Sequence, residues 1–207
     1  ALVLGPQAYV NCAPNDDHCG GTGGCEGSIA ELAFNYTVTA GMPLEADYPY
    51  AAVDQTCTQY TPAVTCDGYT KLPVNDADSL ETAIATIGPM AVNVAANWAT
   101  YGGGVFKGGC DRPLSPRGEC TIDHVVVAEG YGVDKSAGAY WLIRNSWADT
   151  WGEDGYIRLS RDNDDKTYTD NEPADGTACE PFPDTQTVGG ESGVLFDASY
   201  PTGATKA

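Results

Sequence analysis

Two short apolar runs in the second half of the chain form the pattern from which the central part of the fold is predicted. They cover residues 125–128 (VVVA) and 140–143 (YWLI), and glycines lie on both sides of them. Runs of this length, rich in β-branched and aromatic residues, predict buried strands, with Gly138 in the turn between them. An antiparallel pair of this kind brings His124, which precedes the first run, beside Asn145, which follows the second.

The two residues brought together by this pairing suggest a chemistry. A side-chain amide next to a histidine holds the imidazole in one tautomer and one orientation. A histidine that acts as a general base, or as the partner of a thiolate, needs this restraint. His124 and Asn145 are therefore the candidate catalytic residues.

Other segments show helical spacing or no periodicity. Residues 26–40 carry apolar side chains at helical spacing and stop at Gly41, which predicts a helix. Residues 79–88 predict a shorter helix with a polar cap, and a strand over 90–95 follows it. Residues 161–192 are polar and without periodicity, which is typical of a solvated loop.

Composition and charge narrow the class of protein. The 207 residues contain 10 Lys+Arg against 29 Asp+Glu, a formal net charge of −19, which argues against nucleic acid and anionic membranes as partners. The excess favours solubility, or tolerance of acidic or salty surroundings, over a dedicated cationic partner. No apolar run approaches the ~18 residues of a membrane span. The sequence predicts a soluble globular chain with no membrane span.

The cysteines point to disulfide bonds rather than to a metal. Eight cysteines are a high number for a cytosolic chain and indicate an oxidising compartment. His18, Cys19 and Cys25 resemble part of a metal site, but no second ligand pair completes four ligands. Neither a metal nor a cofactor is predicted.

Five segments of the sequence carry a family resemblance: GGCEGS, YPY, YGGGVF, IDHVVVAEGYG and YWLIRNSWADTWGEDGYIRL. Together they resemble the papain and cathepsin family of cysteine proteases. The resemblance implies that His124 is the catalytic histidine, that Asn145 orients it, that Trp147 covers their contact, and that Trp151 is the aromatic residue of the primed side. It implies a peptide or protein substrate and an endopeptidase that hydrolyses peptide bonds through a Cys-His-Asn triad.

The same resemblance predicts the fold class. It implies an α+β, papain-like two-domain fold, with a partial helical left domain and an antiparallel β-barrel right domain. Residues 1–68 would be the remainder of the helical domain, and residues 69–207 would form the barrel. Because residue 1 falls inside the match and no signal peptide precedes it, we expect a processed product or an incomplete record.

One departure from the family pattern concerns the nucleophile. The family's catalytic cysteine lies in a C-G-S/A-C-W/Y signature ~130–150 residues before the histidine, a position that falls before residue 1. The signature does not occur in this sequence. We therefore expect the thiol on a separate or unrecorded N-terminal segment. The alternative is a non-catalytic homologue that acts as a binding or structural module.

The resemblance also assigns residues that contact the substrate. Asp197 falls at the floor of the pocket for the P2 side chain, which predicts a pocket that accepts both aliphatic and basic residues. The alternative is that Asp197 points to solvent or is paired within the protein. The loop 107–120 is longer than the family's and hints at a role near the primed side, or is a surface loop clipped by its own Cys110–Cys120 bridge. The substrate-binding residues implied by the family are Glu26, Gly27, Ser28, Ile29, Ala30, Asn93, Asp123, Val125 and Asp197.

Disulfide pairing is implied by the family only in part. The family position implies Cys12–Cys57, whereas Cys19–Cys66 is a guess. Cys25 corresponds to a cysteine whose partner lies just upstream of the nucleophile, which implies a disulfide to the companion segment. Cys110 resembles one arm of a bridge whose other position holds Ser192, so the pairing of Cys110, Cys120 and Cys179 stays open.

The predicted compartment follows from the disulfides and the resemblance. We expect the secretory pathway, with a lysosomal, vacuolar or extracellular destination and a zymogen form. Residues 35–37 (NYT) form an N-glycosylation sequon, whose occupancy the sequence leaves open because it lies in a predicted helix.

Overall fold

The computed structural model describes residues 1–110 and 119–207 of the chain. Three α-helices occur in this part: α1 (Gln7–Cys12), α2 (Ala30–Ala40) and α3 (Ala77–Thr86). The strands are β1 (Val64–Thr65), β2 (Gly68–Lys71), β3 (Met90–Val94), β4 (Val105–Phe106), β5 (His124–Asp134), β6 (Gly138–Arg144), β7 (Tyr156–Ser160), β8 (Thr167–Asp170), β9 (Gln186–Gly189), β10 (Ala198–Thr202) and β11 (Thr205–Lys206).

Seven strands form the main sheet, in the order β2-β10-β3-β5-β6-β7-β4. All neighbours are antiparallel except β4 and β7, which run parallel. Strands β5 and β6 contain the two apolar runs and form a hairpin whose register shifts between Ala128 and Gly130, a β-bulge. Two small pairs, β1–β11 and β8–β9, lie outside this sheet.

The main hydrophobic core lies against this sheet. Helix α3 begins after Asp76, whose Oδ1 accepts a hydrogen bond from the Ser79 backbone N–H at 3.0 Å. Its buried face belongs to the same hydrophobic core as strands β3, β5, β6 and β7. The core side chains on that face and those strands include Leu80, Ala83, Ile84, Met90, Val92, Val94, Val126, Ala128, Trp141, Ile143, Ile157 and Leu159.

The N-terminal residues have a much smaller core. It consists of Ala8, Met42 and Tyr48, with partly buried residues packed around them. Polar contacts supplement it, since the Tyr48 hydroxyl accepts a hydrogen bond from Asn11 Nδ2 at 3.0 Å. The Tyr60 hydroxyl donates to the Tyr36 hydroxyl at 2.7 Å.

The structure corrects two sequence-based predictions of local structure. Helix α2 begins at Ala30 rather than at Glu26, because Gly27 (φ 104°) and the extended Ile29 interrupt the helical backbone before it. Residues 161–192 are not only loop, since they contain β8, whose residues alternate in burial, and its partner strand β9. The alternation covers four residues, too few to stand out in the sequence.

Most of the loop 107–120, for which the sequence suggests a role near the primed side, lies outside the described residues. No helix in residues 1–110 and 119–207 is long and apolar enough to cross a membrane.

Candidate active site

His124 and Asn145 are in direct contact at the end of the main sheet. His124 opens β5 and pairs with Val94 of β3, while Asn145 follows the last residue of β6. His124 Nε2 lies 2.8 Å from Asn145 Oδ1. The same Oδ1 accepts a hydrogen bond from the Ser146 backbone N–H at 2.8 Å, which identifies it as the amide oxygen. An amide oxygen only accepts, so Nε2 carries a proton in this contact.

This contact leaves the other ring nitrogen available for proton transfer. In the neutral ring Nε2 is the donor, and Nδ1 is then the acceptor. Nδ1 has no hydrogen-bond partner among the described residues. The arrangement therefore presents a basic nitrogen that can take a proton from a thiol and return it.

Aromatic rings pack on one side of the pair. The rings of His124 and Trp147 lie 5.3 Å apart at 31°, and Trp147 meets Trp151 edge-on at 5.2 Å. Trp151 in turn lies near Trp98 and Tyr101. Trp147 thus lies against the imidazole ring, where the resemblance to the family leads one to expect it.

His124 lines a cleft of about 420 Å³ that two parts of the chain enclose. One side, the strand wall, comes from the start of β5, and the other, the loop wall, comes from residues 20–28. The lining residues are Gly20, Cys25, Glu26, Gly27, Ser28, Asp123, His124, Val125, Asp175 and Gly176. Five of the predicted substrate-binding residues are among them, namely Glu26, Gly27, Ser28, Asp123 and Val125.

Asn15 holds the loop wall together. Its Nδ2 donates to the carbonyl oxygens of Cys19 and Gly21, both at 3.0 Å, and its Oδ1 accepts from the Cys19 N–H at 2.7 Å. A longer contact of 3.4 Å reaches the carbonyl of Gly27. The loop needs this support because several of its glycines adopt positive φ and pack no side chains.

Asp175 and Gly176 were not predicted from the sequence as residues of the site. They lie in the polar segment predicted as a solvated loop, about fifty residues beyond His124 in the sequence. Only the three-dimensional path of the chain brings them to the cleft.

A second cavity of about 220 Å³ contains Ile29 and Ala30. It shares Ser28 and Val125 with the first cleft, so the two cavities adjoin. Its lining is mostly apolar and includes Tyr9, Val10, Ala13, Ile29, Ala30, Ala33 and Val125.

Asp197 and Asn93 are not among the described residues that line these two cavities. Asp197 is 1% exposed, its Oδ1 lies 2.8 Å from Lys71 Nζ, and its Oδ2 accepts from Asn93 Nδ2 at 3.1 Å. Lys71 Nζ also lies 3.0 Å from Glu31 Oε1. Asp197 is thus paired within the protein, which is the alternative to a carboxylate free to bind a basic P2 side chain.

The buried pair of carboxylates shifts the protonation of Asp197. Burial, and then the negative charge of Glu31, raise the pKa of Asp197 to about 6, although Lys71 opposes the shift. Burial lowers the pKa of Lys71, but the hydrogen bond to Asp197 and the two carboxylate charges outweigh it and raise that pKa overall. Lys71 thus pairs with the carboxylates of both Glu31 and Asp197, and its single positive charge balances only one of their two negative charges.

Six cysteines form three disulfides. The structure contains the Cys12–Cys57 bridge and also joins Cys110 to Cys120. The guess Cys19–Cys66 is wrong, since Cys19 is bonded to Cys179. Cys66 is a buried free thiol near the carbonyl oxygen of Phe34. The sequence could not reveal the Cys19–Cys179 pair, because the two cysteines are 160 positions apart.

Cys25 is the only exposed free cysteine among the eight, all of which the structure describes. Although it lines the cleft with His124, its surroundings are electronegative. Desolvation and the neighbouring Asp54 carboxylate, which accepts from the Cys25 N–H at 2.8 Å, raise the pKa of its thiol. A nucleophilic cysteine needs the opposite shift. The position of Asp54 therefore disfavours the thiolate form of Cys25.

No group of three or more His, Cys, Asp or Glu side chains in residues 1–110 and 119–207 is arranged to hold a metal ion. The cleft is acidic, because Glu26, Asp123 and Asp175 line it without any lysine or arginine.

With this fold and site, the chain belongs to the papain family of cysteine proteases, whose family pattern matches residues 1–176. Bromelain from Ananas comosus superposes with a TM-score of 0.73 at 29% identity, covering 98% of this chain and 79% of the bromelain chain. The α+β, papain-like fold is thereby confirmed.

Curated relatives are longer than this chain. A cathepsin L-like peptidase of Aedes aegypti is 36% identical over 170 residues, which cover 79% of this chain and 47% of the relative. The oryzain beta chain of Oryza sativa subsp. japonica is 34% identical over 208 residues, covering 97% of this chain and 37% of the relative. The chain thus spans about half or less of the length of these relatives.

Proposed function

We propose that this chain is the larger part of a cysteine-type endopeptidase that hydrolyses peptide bonds through a Cys-His-Asn triad. His124 and Asn145 supply two members, and an N-terminal segment outside this sequence supplies the thiol. The observation that carries the proposal is the 2.8 Å contact between His124 Nε2 and Asn145 Oδ1, which leaves Nδ1 available beside an open cleft.

The geometry supports the following sequence of proton transfers. His124 Nδ1 takes the thiol proton, and the thiolate attacks the carbonyl carbon of the scissile peptide bond. As the tetrahedral intermediate collapses, the C–N bond breaks and Nδ1–H gives its proton to the leaving amine. Nδ1 then takes a proton from water, whose oxygen attacks the thioester carbon. Release of the carboxylic acid restores the thiolate and the protonated ring, which Asn145 keeps in orientation throughout.

The state of the cysteines supports a thiol from elsewhere. Six are oxidised, Cys66 is buried, and Cys25 lies beside a carboxylate that disfavours its thiolate. Cys25 is exposed at the cleft, a position from which a disulfide can reach a companion segment. We propose this disulfide as the link between the two segments.

The apolar cavity around Ile29 and Ala30 supports a preference for aliphatic or aromatic P2 side chains. Burial of such a side chain contributes about 1.5–3 kcal/mol. A basic P2 residue finds no free carboxylate there, because Asp197 is paired with Lys71. We therefore replace the predicted dual pocket with an apolar one.

Three disulfides support synthesis in the secretory pathway, with a lysosomal, vacuolar or extracellular destination. The zymogen form belongs to the same proposal. Glycosylation at Asn35 is compatible with its exposure, but the Thr37 hydroxyl of the sequon is hydrogen-bonded to Ala33 and Tyr9. Attachment would therefore have to precede folding of α2.

A second candidate is a non-catalytic homologue that binds peptides. The observation in its favour is that none of the eight cysteines is suited to attack a carbonyl. Retention of the oriented His124, with its covering tryptophan, favours the enzyme, since peptide binding alone does not require this arrangement.

Two measurements on the protein purified from its source decide between the candidates. The intact mass, with and without reductant, is expected to show a second polypeptide released by reduction. After mild activation, the protein is expected to cleave peptide amides and to lose activity when a peptidyl epoxide alkylates one thiol. Absence of any cleavage, in a preparation whose mass shows every segment present, would favour the binding module.

A further inference from the structure

The residue that lies against the imidazole of His124 belongs to an irregular part of the chain. Trp147 is in the turn 146–155, which the structure describes in full and which contains neither helix nor strand. Ala148 in this turn has a φ of 70°, a left-handed conformation that disfavours residues with a Cβ atom. Local backbone preference therefore does not hold Trp147 in its place, and contacts outside the turn have to do so.

Trp151 attaches this turn to the body of the protein. Among the residues of the turn, it is the only one that packs against the main hydrophobic core. Its ring meets that of Trp147 edge-on at 5.2 Å and stacks on the ring of Trp98 at 6.4 Å and 30°. A polar attachment, the ion pair of Glu153 with Arg158, lies at the far end of the turn. The position of Trp147 thus depends on the surface that Trp98 offers to Trp151.

Trp98 is fixed by a buried hydrogen bond. Its side chain is 0% exposed, and its indole Nε1–H donates to Ser192 Oγ at 3.1 Å. The Ser192 hydroxyl donates its own proton to Glu191 Oε1 at 3.3 Å. The Glu191 carboxylate accepts from the backbone N–H groups of Gly108 and Gly109 at 3.0 and 2.7 Å. The hydroxyl therefore has a set direction, and its lone pair holds the Trp98 ring in one orientation.

Ser192 occupies a backbone conformation that glycine would adopt more easily. Its φ and ψ are 56° and 22°, in the left-handed region, and its carbonyl oxygen accepts from the Ala95 N–H at 2.9 Å. Such a conformation persists where the surrounding structure fixes it, and it calls for an explanation in terms of function. The resemblance to the family places a bridging cysteine here, whereas Cys110 is bonded to Cys120 and Ser192 binds Trp98 instead.

We propose that Ser192 is a positioning residue of the proposed enzyme. Its hydroxyl fixes the ring of Trp98, and Trp98 supports Trp151. The turn that Trp151 attaches to the core then keeps Trp147 against the imidazole of His124. The inference rests on the proposed function, because it assigns the proton transfer to His124.

The first test measures kcat and KM on the complete protein, with the reactive thiol titrated. Ser192→Ala and Ser192→Gly both remove the hydroxyl, but only glycine relieves the left-handed backbone. We expect both variants to lower kcat about tenfold, because misplacement of a catalytic group by about 1 Å already slows the chemical step by one to two orders of magnitude. KM should stay close to the wild-type value, because Ser192 and Trp98 are not among the described residues that line the two cavities.

A matched control separates positioning from general destabilisation. Ser160 on β7 is also buried, and its hydroxyl accepts from the Asp162 N–H at 3.1 Å. Ser160→Ala is expected to keep the wild-type kcat, and thermal unfolding checks that all variants are folded. A wild-type kcat in folded Ser192→Gly, or an equal loss in Ser160→Ala, would overturn the inference.

A double-mutant cycle tests whether the hydrogen bond carries the effect. Trp98→Phe keeps an aromatic ring on Trp151 and removes the N–H donor. In this background, Ser192→Ala is expected to cause no further loss of kcat, since the bond it would break is already absent. A second loss as large as the first would contradict the role of the Trp98–Ser192 contact.

A spectroscopic measurement keeps the test independent of activity. His18 and His124 are the two histidines of the chain, and the ring current of Trp147 shifts the imidazole C–H signals of His124 in NMR spectra of the complete protein. His124→Ala assigns these signals, and Trp147→Ala gives the change expected when the indole leaves. We expect Ser192→Ala and Ser192→Gly to move the His124 signals in the same direction and to leave those of His18 in place. Unmoved His124 signals would refute the positioning role, whereas failure of all peptide cleavage with the change present would refute only the proposed catalysis.

Discussion

The strand wall and the loop wall of the cleft are built by different means. On the strand wall, His124 and Asn145 sit at the ends of paired strands, above a core that includes Trp141 and Ile143. On the loop wall, a glycine-rich segment is held by Asn15 and by the Cys19–Cys179 bond. The difference shows that orientation of the reacting groups depends on regular structure, while the surface facing the substrate depends on a few polar and covalent ties.

The largest effect is expected when His124 is removed from the strand wall. His124→Ala is expected to lower kcat/KM on the order of 10⁴-fold or more, because no other group takes the thiol proton. Asn145→Ala removes only the orienting contact and is expected to cost about 10²-fold. Thermal unfolding of both variants serves as the control, and equal losses in two folded variants would contradict this division of roles.

The loop wall is tested by removing Asn15. Asn15→Ala breaks hydrogen bonds to Cys19 and Gly21, and we expect a loss of about 1–3 kcal/mol in the free energy of unfolding. KM should rise more than kcat falls, since His124 and Asn145 do not depend on this residue. Urea unfolding and steady-state kinetics measure both effects, with Asn97→Ala, on a different loop, as the comparison. A fall confined to kcat would show that the walls are not independent.

The buried cluster of Asp197, Glu31 and Lys71 predicts an effect of pH on the stability of the folded chain. The pKa of Asp197 is about 6 in the folded chain against an ordinary 3.8, so between these values the folded state holds the additional proton. Stability from this group is therefore fully present at low pH and is lost as pH rises through 6. We expect Asp197 to make the chain more stable at pH 5 than at pH 7 by about 1.3 kcal/mol, because only about one pH unit of this range lies below the folded pKa of about 6.

Differences between variants isolate this contribution from other titrating groups. Glu31→Gln removes the neighbouring negative charge and is expected to reduce the gain on acidification, and Asp197→Asn is expected to abolish it. Asp184→Asn should leave it unchanged. Melting temperatures at pH 5 and 7 provide the measurement, and an identical pH dependence in wild type and Asp197→Asn would exclude Asp197 as its source.

The smallest effect is expected in the turn after Asn145. Ala148 has a φ of 70°, a left-handed conformation that disfavours any residue with a Cβ atom. Ala148→Gly relieves this strain but adds freedom to the unfolded chain, so we expect a net gain of up to about 1 kcal/mol. Denaturant midpoints measure it. A destabilised Ala148→Gly protein would indicate that the Ala148 side chain supports the strand wall.

The strand wall was more predictable from the sequence than the loop wall, for a physical reason. The β5–β6 hairpin is predicted from two apolar runs separated by a turn. It brings His124 into contact with Asn145, and the two residues are only about twenty positions apart in the sequence. The contacts Cys19–Cys179 and Lys71–Asp197 join residues more than a hundred positions apart. Nothing in the local pattern encodes such partners, so the guess Cys19–Cys66 was wrong and Lys71 was not predicted as the partner of Asp197.

The β-bulge constrains the number of residues in the β5–β6 hairpin. Before the bulge, Ala128 pairs with Ile143, and after it, Gly130 pairs with Leu142. Glu129 is therefore the extra residue of β5, with no partner in β6. Side chains alternate between faces along a strand, and a shift of one residue reverses them. A single deletion between the bulge and the turn therefore forces the hairpin either to absorb the bulge or to misalign its tip. A deletion between His124 and the bulge instead rotates the imidazole away from Asn145 while leaving the amino-acid composition almost the same. This hairpin therefore tolerates substitutions more readily than deletions or insertions.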